Sequence, residues 1–232
     1  MEAGDGGRLV LVGTPIGNLS DMSPRAEEVL RTADAVMAED TRRTARFVTD
    51  RSRLYSYHDH NASGRLPQIV DFLERGSTVA LVSDAGMPGI SDPAYRAVRA
   101  ALHGGFPVEA IPGPSAVICA LVASGLPTDR FCFEGFLPRK TGARTARLRE
   151  MSTYGGSIVY YIGPHHLGKF LDEMLNILGN RPVCVARELT KLHEEYLRGS
   201  MEGMRERFAE GTVRGEITLV VGGEGLGPDF FD

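Results

Sequence analysis

No apolar run in this chain approaches the ~20 residues that would span a bilayer. No membrane-spanning helix is therefore expected. The first seven residues, Met1-Glu2-Ala3-Gly4-Asp5-Gly6-Gly7, lack the basic and hydrophobic regions of a signal peptide, so the expected compartment is the cytoplasm. Cysteine is scarce as well. Cys119, Cys132 and Cys184 each sit among apolar neighbours, which suits reduced core residues better than a disulfide framework or a thiolate nucleophile. There is no G-x-x-x-x-G-K-[ST], and no G-x-G-x-x-G follows a strand, which argues against a P-loop nucleotide hydrolase and leaves an ordinary dinucleotide site unsupported. His58-Asp59-His60 has no third and fourth ligand at a recognisable spacing, and His193-Glu194-Glu195-Tyr196 is not H-E-x-x-H, so no metal is expected. Internal repeats and low-complexity blocks are absent too.

A basic excess is also missing: 26 Lys and Arg face 30 Asp and Glu, a formal net charge of -4. Distribution matters more than that sum. Arg139, Lys140, Arg144, Arg147 and Arg149 fall in one acid-free window, and Arg42, Arg43, Arg46, Arg51 and Arg53 share a segment with only Asp50 opposing them. Either segment could be a solvated face or a grip on phosphate. At 232 residues and 42% hydrophobic, the chain can bury a sizeable core in one or two domains.

What is present is strand-end punctuation. Thr78 to Val82 is β-branched or apolar throughout, as a strand buried on both faces of a parallel sheet should be. Ser83-Asp84-Ala85-Gly86-Met87-Pro88-Gly89-Ile90-Ser91-Asp92-Pro93 follows it. Gly86 and Gly89 allow close backbone approach, Ser91 or Asp92 can cap the next helix, and free amides at a helix start favour an anionic group. Gly13-Thr14-Pro15-Ile16-Gly17-Asn18 and Pro112-Gly113-Pro114-Ser115-Ala116 punctuate two other strand ends. Three such loops fit an α/β sheet that binds ligands at the carboxyl edge of its strands.

The pattern predicts strands over 8–13, 34–38, 77–82 and 107–111, with helices over 24–32, 41–48, 62–75, 93–103 and 115–123. After a linker at 124–128, strands are expected over 131–136, 157–161, 182–187, 195–199 (antiparallel) and 216–221, with helices near 165–178 and 201–210. The domains are then 8–123 and 129–222, both α/β, with a frayed tail over 223–232.

VGTPIGNLSD (12–21), AEDTRRTARF (38–47), SYHDHN (56–61), SDAGMPGISDPAY (83–95), IPGPSA (111–116), SGLPTDRFCFEGFLPRKTGAR (124–144) and ARELTKLHEEYLRG (186–199) occur in that order. Together they closely resemble the RsmI family of 16S ribosomal RNA (cytidine-2'-O)-methyltransferases, within the tetrapyrrole methylase superfamily. The resemblance runs from about residue 9 to residue 221. It implies two α/β domains of the tetrapyrrole methylase type, a homodimer, S-adenosylmethionine in a cleft between the domains, and a 16S rRNA or small-subunit substrate.

By resemblance, cofactor contacts come from Pro15, Gly86, Met87, Ile90, Ser115 and Ala116, and from Tyr161, Ile162, Leu189, Thr190, Glu216, Ile217 and Thr218. Arg42, Arg43, Arg139, Lys140, Arg144 and Arg147 would hold RNA, the 139–149 segment forming a mobile loop and helix. Methylating a hydroxyl needs a group to take its proton. Candidates are Glu39, Asp40, His58, Asp84, Asp92 and the cluster of Arg187, Glu188, Lys191, His193 and Glu194; Glu39, Asp40 and Asp84 are preferred, with only one of them acting.

The sequence departs from the family where relatives typically read Tyr-Glu-Ser-Pro-His-Arg and this chain has Tyr161-Ile162-Gly163-Pro164-His165-His166. Met87 stands for a usual Thr and Asp59 for a usual Glu, and family members often run some tens of residues further. Two other readings stay open: a corrin-type small-molecule methylase, against which stands Gly86-Met87-Pro88 where such relatives carry Gly-Asp-Pro, and a catalytically silent RNA-binding relative.

Overall fold

The structure is a computed structural model that describes residues 6–209 and 213–232. Residues 1 to 5, part of the segment read above for targeting, and residue 210, the expected end of the 201–210 helix, lie outside the described residues. The chain divides into two compact units, Met1–Ser115 and Ala116–Asp232.

The first unit runs β1 (Arg8–Val12), α1 (Pro24–Thr32), β2 (Ala35–Ala38), α2 (Thr41–Thr44), β3 (Leu54–Ser56), α3 (Ala62–Glu74), β4 (Thr78–Val82), α4 (Ala94–His103) and β5 (Val108–Ile111). All five strands pair parallel, in the order β3-β2-β4-β1-β5. Local chemistry explains the elements. Ser23 caps α1 by accepting from the Ala26 N–H at 3.2 Å, Pro24 occupies the first turn where its missing N–H costs nothing, and Ala26 and Leu30 then face the sheet. Leu9, Met37, Val79 and Leu81 pack on one face with residues of α3 and α4. Val10, Val12, Val36, Ala80 and Val82 pack on the other with α1. Central strands covered on both sides explain their nearly unbroken apolar runs.

Two expectations fail here. The helix expected over 41–48 stops after Thr44, and β3 is an additional strand; its three half-buried residues are too few to show a period.

The second unit runs α5 (Ala116–Ser124), β6 (Phe131–Phe136), α6 (Thr141–Met151), β7 (Ser157–Ile162), α7 (Leu167–Leu178), β8 (Pro182–Arg187), β9 (Glu195–Ser200), α8 (Met201–Arg207) and β10 (Ile217–Val221). Its sheet order is β6-β7-β10-β8-β9, with only β6–β7 parallel. Strand β9 is antiparallel to β8, as expected.

Helix α5, expected to close the first domain, packs instead on β7, β8, β9 and β10. Its last carbonyls explain the attachment: Arg198 on β9 donates to the carbonyl oxygens of Ala123 and Ser124, satisfying acceptors that a helix end leaves open. The frayed tail is also corrected. Glu224 N–H donates to the Tyr154 carbonyl at 2.7 Å, and the short turn Pro228–Phe231 packs on β8 and β9. Phe231 is half-buried with its ring against Gly125, whereas Phe230 is exposed. No helix among the described residues is long and apolar enough to cross a membrane.

Candidate functional site

Four loops meet at the carboxyl edge of the first sheet. Thr14 and Gly86 exchange backbone hydrogen bonds of 3.0 Å each, joining the loop after β1 to the loop after β4. Gly13 lies so close to the loop after β5 that an added Cβ would sit 2.7 Å from the Gly113 Cα and 2.7 Å from the Met87 sulfur. The Asp40 N–H donates to Asp84 Oδ1 at 2.9 Å, and the Asp84 N–H donates back to Glu39 Oε2 at 3.2 Å, so the loops after β2 and β4 clasp each other. Thus Glu39, Asp40, Asp84, Gly86, Met87 and Pro15 share one edge. Ile90 is exposed on the same β4 loop, and Ser115 ends the β5 loop.

The clasp separates the three preferred carboxylates. Asp40 caps α2 through the Arg42 N–H at 2.9 Å and also takes the Arg42 side chain at 2.7 Å and 3.0 Å. Those Arg42 bonds hold its carboxyl well below the usual range, making it a poor proton acceptor. Asp84 is engaged by Asp40 N–H and lies 3.6 Å from the Arg43 guanidinium. Glu39 differs. Burial pushes it up, the Asp84 N–H pulls it partway back, and the charges of Asp84, Asp92 and Asp59 raise it further. A carboxylate kept reluctant to ionise is a stronger base at neutral pH.

Asp92 is a loop tie. Its carboxylate accepts from Gly89 N–H at 2.8 Å and Ala94 N–H at 2.8 Å, which fixes the turn into α4 and holds Ser91 at φ +64°. His58 faces its own loop: its Nε2 accepts from the Asn61 side-chain amide at 3.3 Å, and its Nδ1 is buried with no hydrogen-bond partner among the described residues.

The second unit gathers another set. Lys191 Nζ bridges Glu188 Oε1 at 2.9 Å and Glu216 Oε2 at 2.8 Å, while Glu216 N–H donates to Glu188 Oε1 at 2.9 Å. Lys191 first, then the Glu216 N–H, holds the Glu188 carboxyl below its ordinary range. Within this loop Glu188 and Thr190 adopt φ of +51° and +66°. For a β-branched residue that is a strained state, of the kind held at ligand sites. The Thr190 Oγ1 is buried with no hydrogen-bond partner among the described residues. Sequence patterns carry no signal for these backbone states.

Ile162, Leu189, Ile217 and Thr218 are buried. Ile162 and Ile217 sit in the core cluster with Leu167 and face each other across the β7–β10 ladder, so their side chains serve packing. The Ile162 departure from the family therefore feeds the core. Tyr161 is half-buried, and Glu216 is exposed.

Arg144 is corrected outright. It is 1% exposed, forks onto Glu173, donates to the Pro138 and Arg139 carbonyls at 2.9 Å each, and stacks 4.8 Å over Phe170. Arg147 is held by Glu134 and Glu150. The acid-free window fails as a guide because folding brings acids from Glu134 and Glu173. Arg139 and Lys140 remain exposed and outside every ion pair found among the described residues. Among those residues no three metal-binding side chains cluster.

The family model for Tetrapyrrole (Corrin/Porphyrin) Methylases matches residues 8–204. "Ribosomal RNA small subunit methyltransferase I" of Halalkalibacterium halodurans is 47% identical over 95% of this chain and 78% of its own. The protein of that name from Thermotoga maritima is 42% identical over 94% and 99%. Among solved structures, the Thermus thermophilus uroporphyrin-III C-methyl transferase complexed with S-adenyl homocysteine aligns with TM-score 0.64 at 21% identity, covering 93% of this chain and 97% of that one. The methyltransferase CobJ aligns with TM-score 0.67 at 20% identity over 96% and 98%. At such identities these two structures speak for the fold.

Proposed function

The chain belongs to the tetrapyrrole (corrin/porphyrin) methylase family, and from that premise we propose that it methylates a cytidine 2'-hydroxyl of 16S rRNA with S-adenosylmethionine. Methylation of small-subunit rRNA is the activity named for the relatives at 42% and 47% identity. The reading includes a cytoplasmic homodimer acting on rRNA or the small subunit.

The residues present suit this methyl donor. Where β1, β4 and β5 end, the backbone is bare at Gly13, Gly86 and Gly113, beside apolar Ile16 and Met87. In the second unit the unmatched Thr190 Oγ1 offers a donor and an acceptor. When bound, S-adenosylmethionine supplies an electrophilic methyl on a sulfonium, so no metal is needed. Pro15, Gly86, Met87, Ile90 and Ser115, from the loops of the first unit, would hold it.

The observation that carries the mechanism is the asymmetry at the β2–β4 clasp. Glu39 takes only one hydrogen bond there, through Oε2, and its Oε1 is an open acceptor among the described residues. Glu39 accepts the proton of the ribose hydroxyl and passes it to water. Asp84 positions both loops, and Asp40 serves α2.

Tritiated methyl incorporation into small ribosomal subunits tests the activity. Glu39→Gln, which keeps an acceptor for the Asp84 N–H, is expected to lower kcat by at least about 100-fold, the lower end of what a general base contributes. Asp40→Asn should stay near wild type. The pH dependence has two signs. Glu39 must be ionised to act, so kcat/KM falls below a pKa lying above the ordinary 4.5. Its neutral form is the one folding favours, so its contribution to stability is present at low pH and lost as pH rises through the raised pKa. Glu39→Gln should therefore lose activity and gain stability at neutral pH; a rate near wild type removes Glu39 from the mechanism.

A further inference from the structure

Strand β6 reads Phe131-Cys132-Phe133-Glu134-Gly135-Phe136, and regular alternation would turn Phe133 and Phe136 to opposite faces. The register with β7 is broken. Phe133 pairs with Val159, Gly135 with Tyr160 and Phe136 with Tyr161, so Glu134 is an extra residue opposite the gap between Val159 and Tyr160. Gly135 takes φ +64°, a state that glycine reaches without penalty. The bulge re-aims everything after it. Phe136 leaves the α6 side, where Glu134 meets Arg147, and joins Phe133 and Tyr161 on the other face.

The three rings form one group. Phe133 lies 4.9 Å from Tyr161 in an edge-on arrangement, and Phe136 lies 5.4 Å from it, tilted. Tyr161 is half-buried beneath, whereas Phe136 is 65% exposed. A phenylalanine turned into water by a dedicated bulge gains nothing for the core, since Tyr160 and Ile158 on the opposite face are already packed by α6 and α7. Three residues further on, the chain carries Arg139 and Lys140, both exposed and outside every ion pair found among the described residues. An open aromatic face beside free cations is the pattern that binds single-stranded nucleic acid, rings stacking on bases while cations meet phosphate.

We infer that Phe136, supported by Tyr161 and Phe133, is a stacking platform for an unpaired base of the RNA substrate, and that Arg139 and Lys140 hold the adjoining phosphates. The inference rests on the rRNA reading above and names how that RNA is gripped. It also divides the labour differently from the sequence. Arg144 and Arg147 build the segment, and the platform does the binding.

A short single-stranded RNA carrying 2-aminopurine, whose fluorescence is quenched by stacking, tests this on the full chain. Wild type should quench it. Phe136→Ala should abolish the quenching and weaken RNA binding about tenfold, within the range measured for single base–aromatic stacks, with an unchanged salt slope. Phe136→Trp should restore both. Arg139→Ala with Lys140→Ala should keep the quenching and flatten the slope of log K against log salt by roughly 1.4, from 0.7 per phosphate on single strands. S-adenosylhomocysteine affinity, Tm and sedimentation of Phe136→Ala should match wild type. The inference is overturned if Phe136→Ala binds RNA like wild type, and weakened cofactor binding or a smaller assembly would then identify the ring's actual occupant. A wild-type chain that methylates subunits while Phe136→Ala does so equally well overturns the platform alone. One that neither binds nor methylates RNA overturns the function as well.

Discussion

Arg144→Ala is expected to lower stability by about 3 kcal/mol, the usual result of removing one partner from a buried ion pair. In a chain of this size that is roughly 6 to 12 °C in Tm. The guanidinium is buried, and it satisfies Glu173 and the carbonyls of Pro138 and Arg139 at once. Its loss strands a carboxylate and two acceptors together. Arg144→Lys should recover little, because an ammonium cannot reproduce the planar fork or the stacking over Phe170. Arg144→Met combined with Glu173→Leu removes both charges and should recover much of the stability. Thermal and urea unfolding check this. Unchanged stability with lost RNA affinity would return Arg144 to the phosphate-binding role that its sequence neighbours suggest.

Gly13→Val is expected to abolish methyl transfer and to raise the Kd for S-adenosylhomocysteine at least about 100-fold, equivalent to roughly 2.7 kcal/mol. The new Cβ would meet the Met87 sulfur, which is the movable end of a flexible side chain, and the Gly113 Cα, which is not. Backbone must separate from backbone. That displaces the β1 loop from its pairing with Gly86 and the β5 loop from its place beside it, so every proposed donor contact at this edge shifts together. Calorimetry with S-adenosylhomocysteine and circular dichroism at the same temperature separate a lost site from a lost fold. Tight binding by Gly13→Val would mean that the glycine pair is only a packing detail.

Much of the fold is legible along the chain, and the reason is local. Parallel strands covered on both faces must be continuously apolar, as Thr78 to Val82 is. Helix α1 carries its own cap in Ser23 and Pro24. The three glycine- and proline-marked loops were identifiable because close approach and tight turning have few residue solutions. Short β3 and truncated α2 were not, since three or four residues cannot display a period. The sequence does not say which neighbour helix α5 takes, because a helix apolar on most sides does not show which sheet it covers.

The residues alone determined that this is an α/β chain with glycine- and proline-marked loops at its strand ends, and its ordered motifs determined the family. Tertiary structure decided the roles. Charge in a sequence is a count, whereas charge in a fold is a set of distances. Glu173 reaches Arg144 from 29 residues away, Asp84 reaches the Asp40 amide from 44 away, and one extra residue in β6 turns Phe136 from the core to solvent. None of these follows from composition or spacing, because each depends on which strands lie side by side.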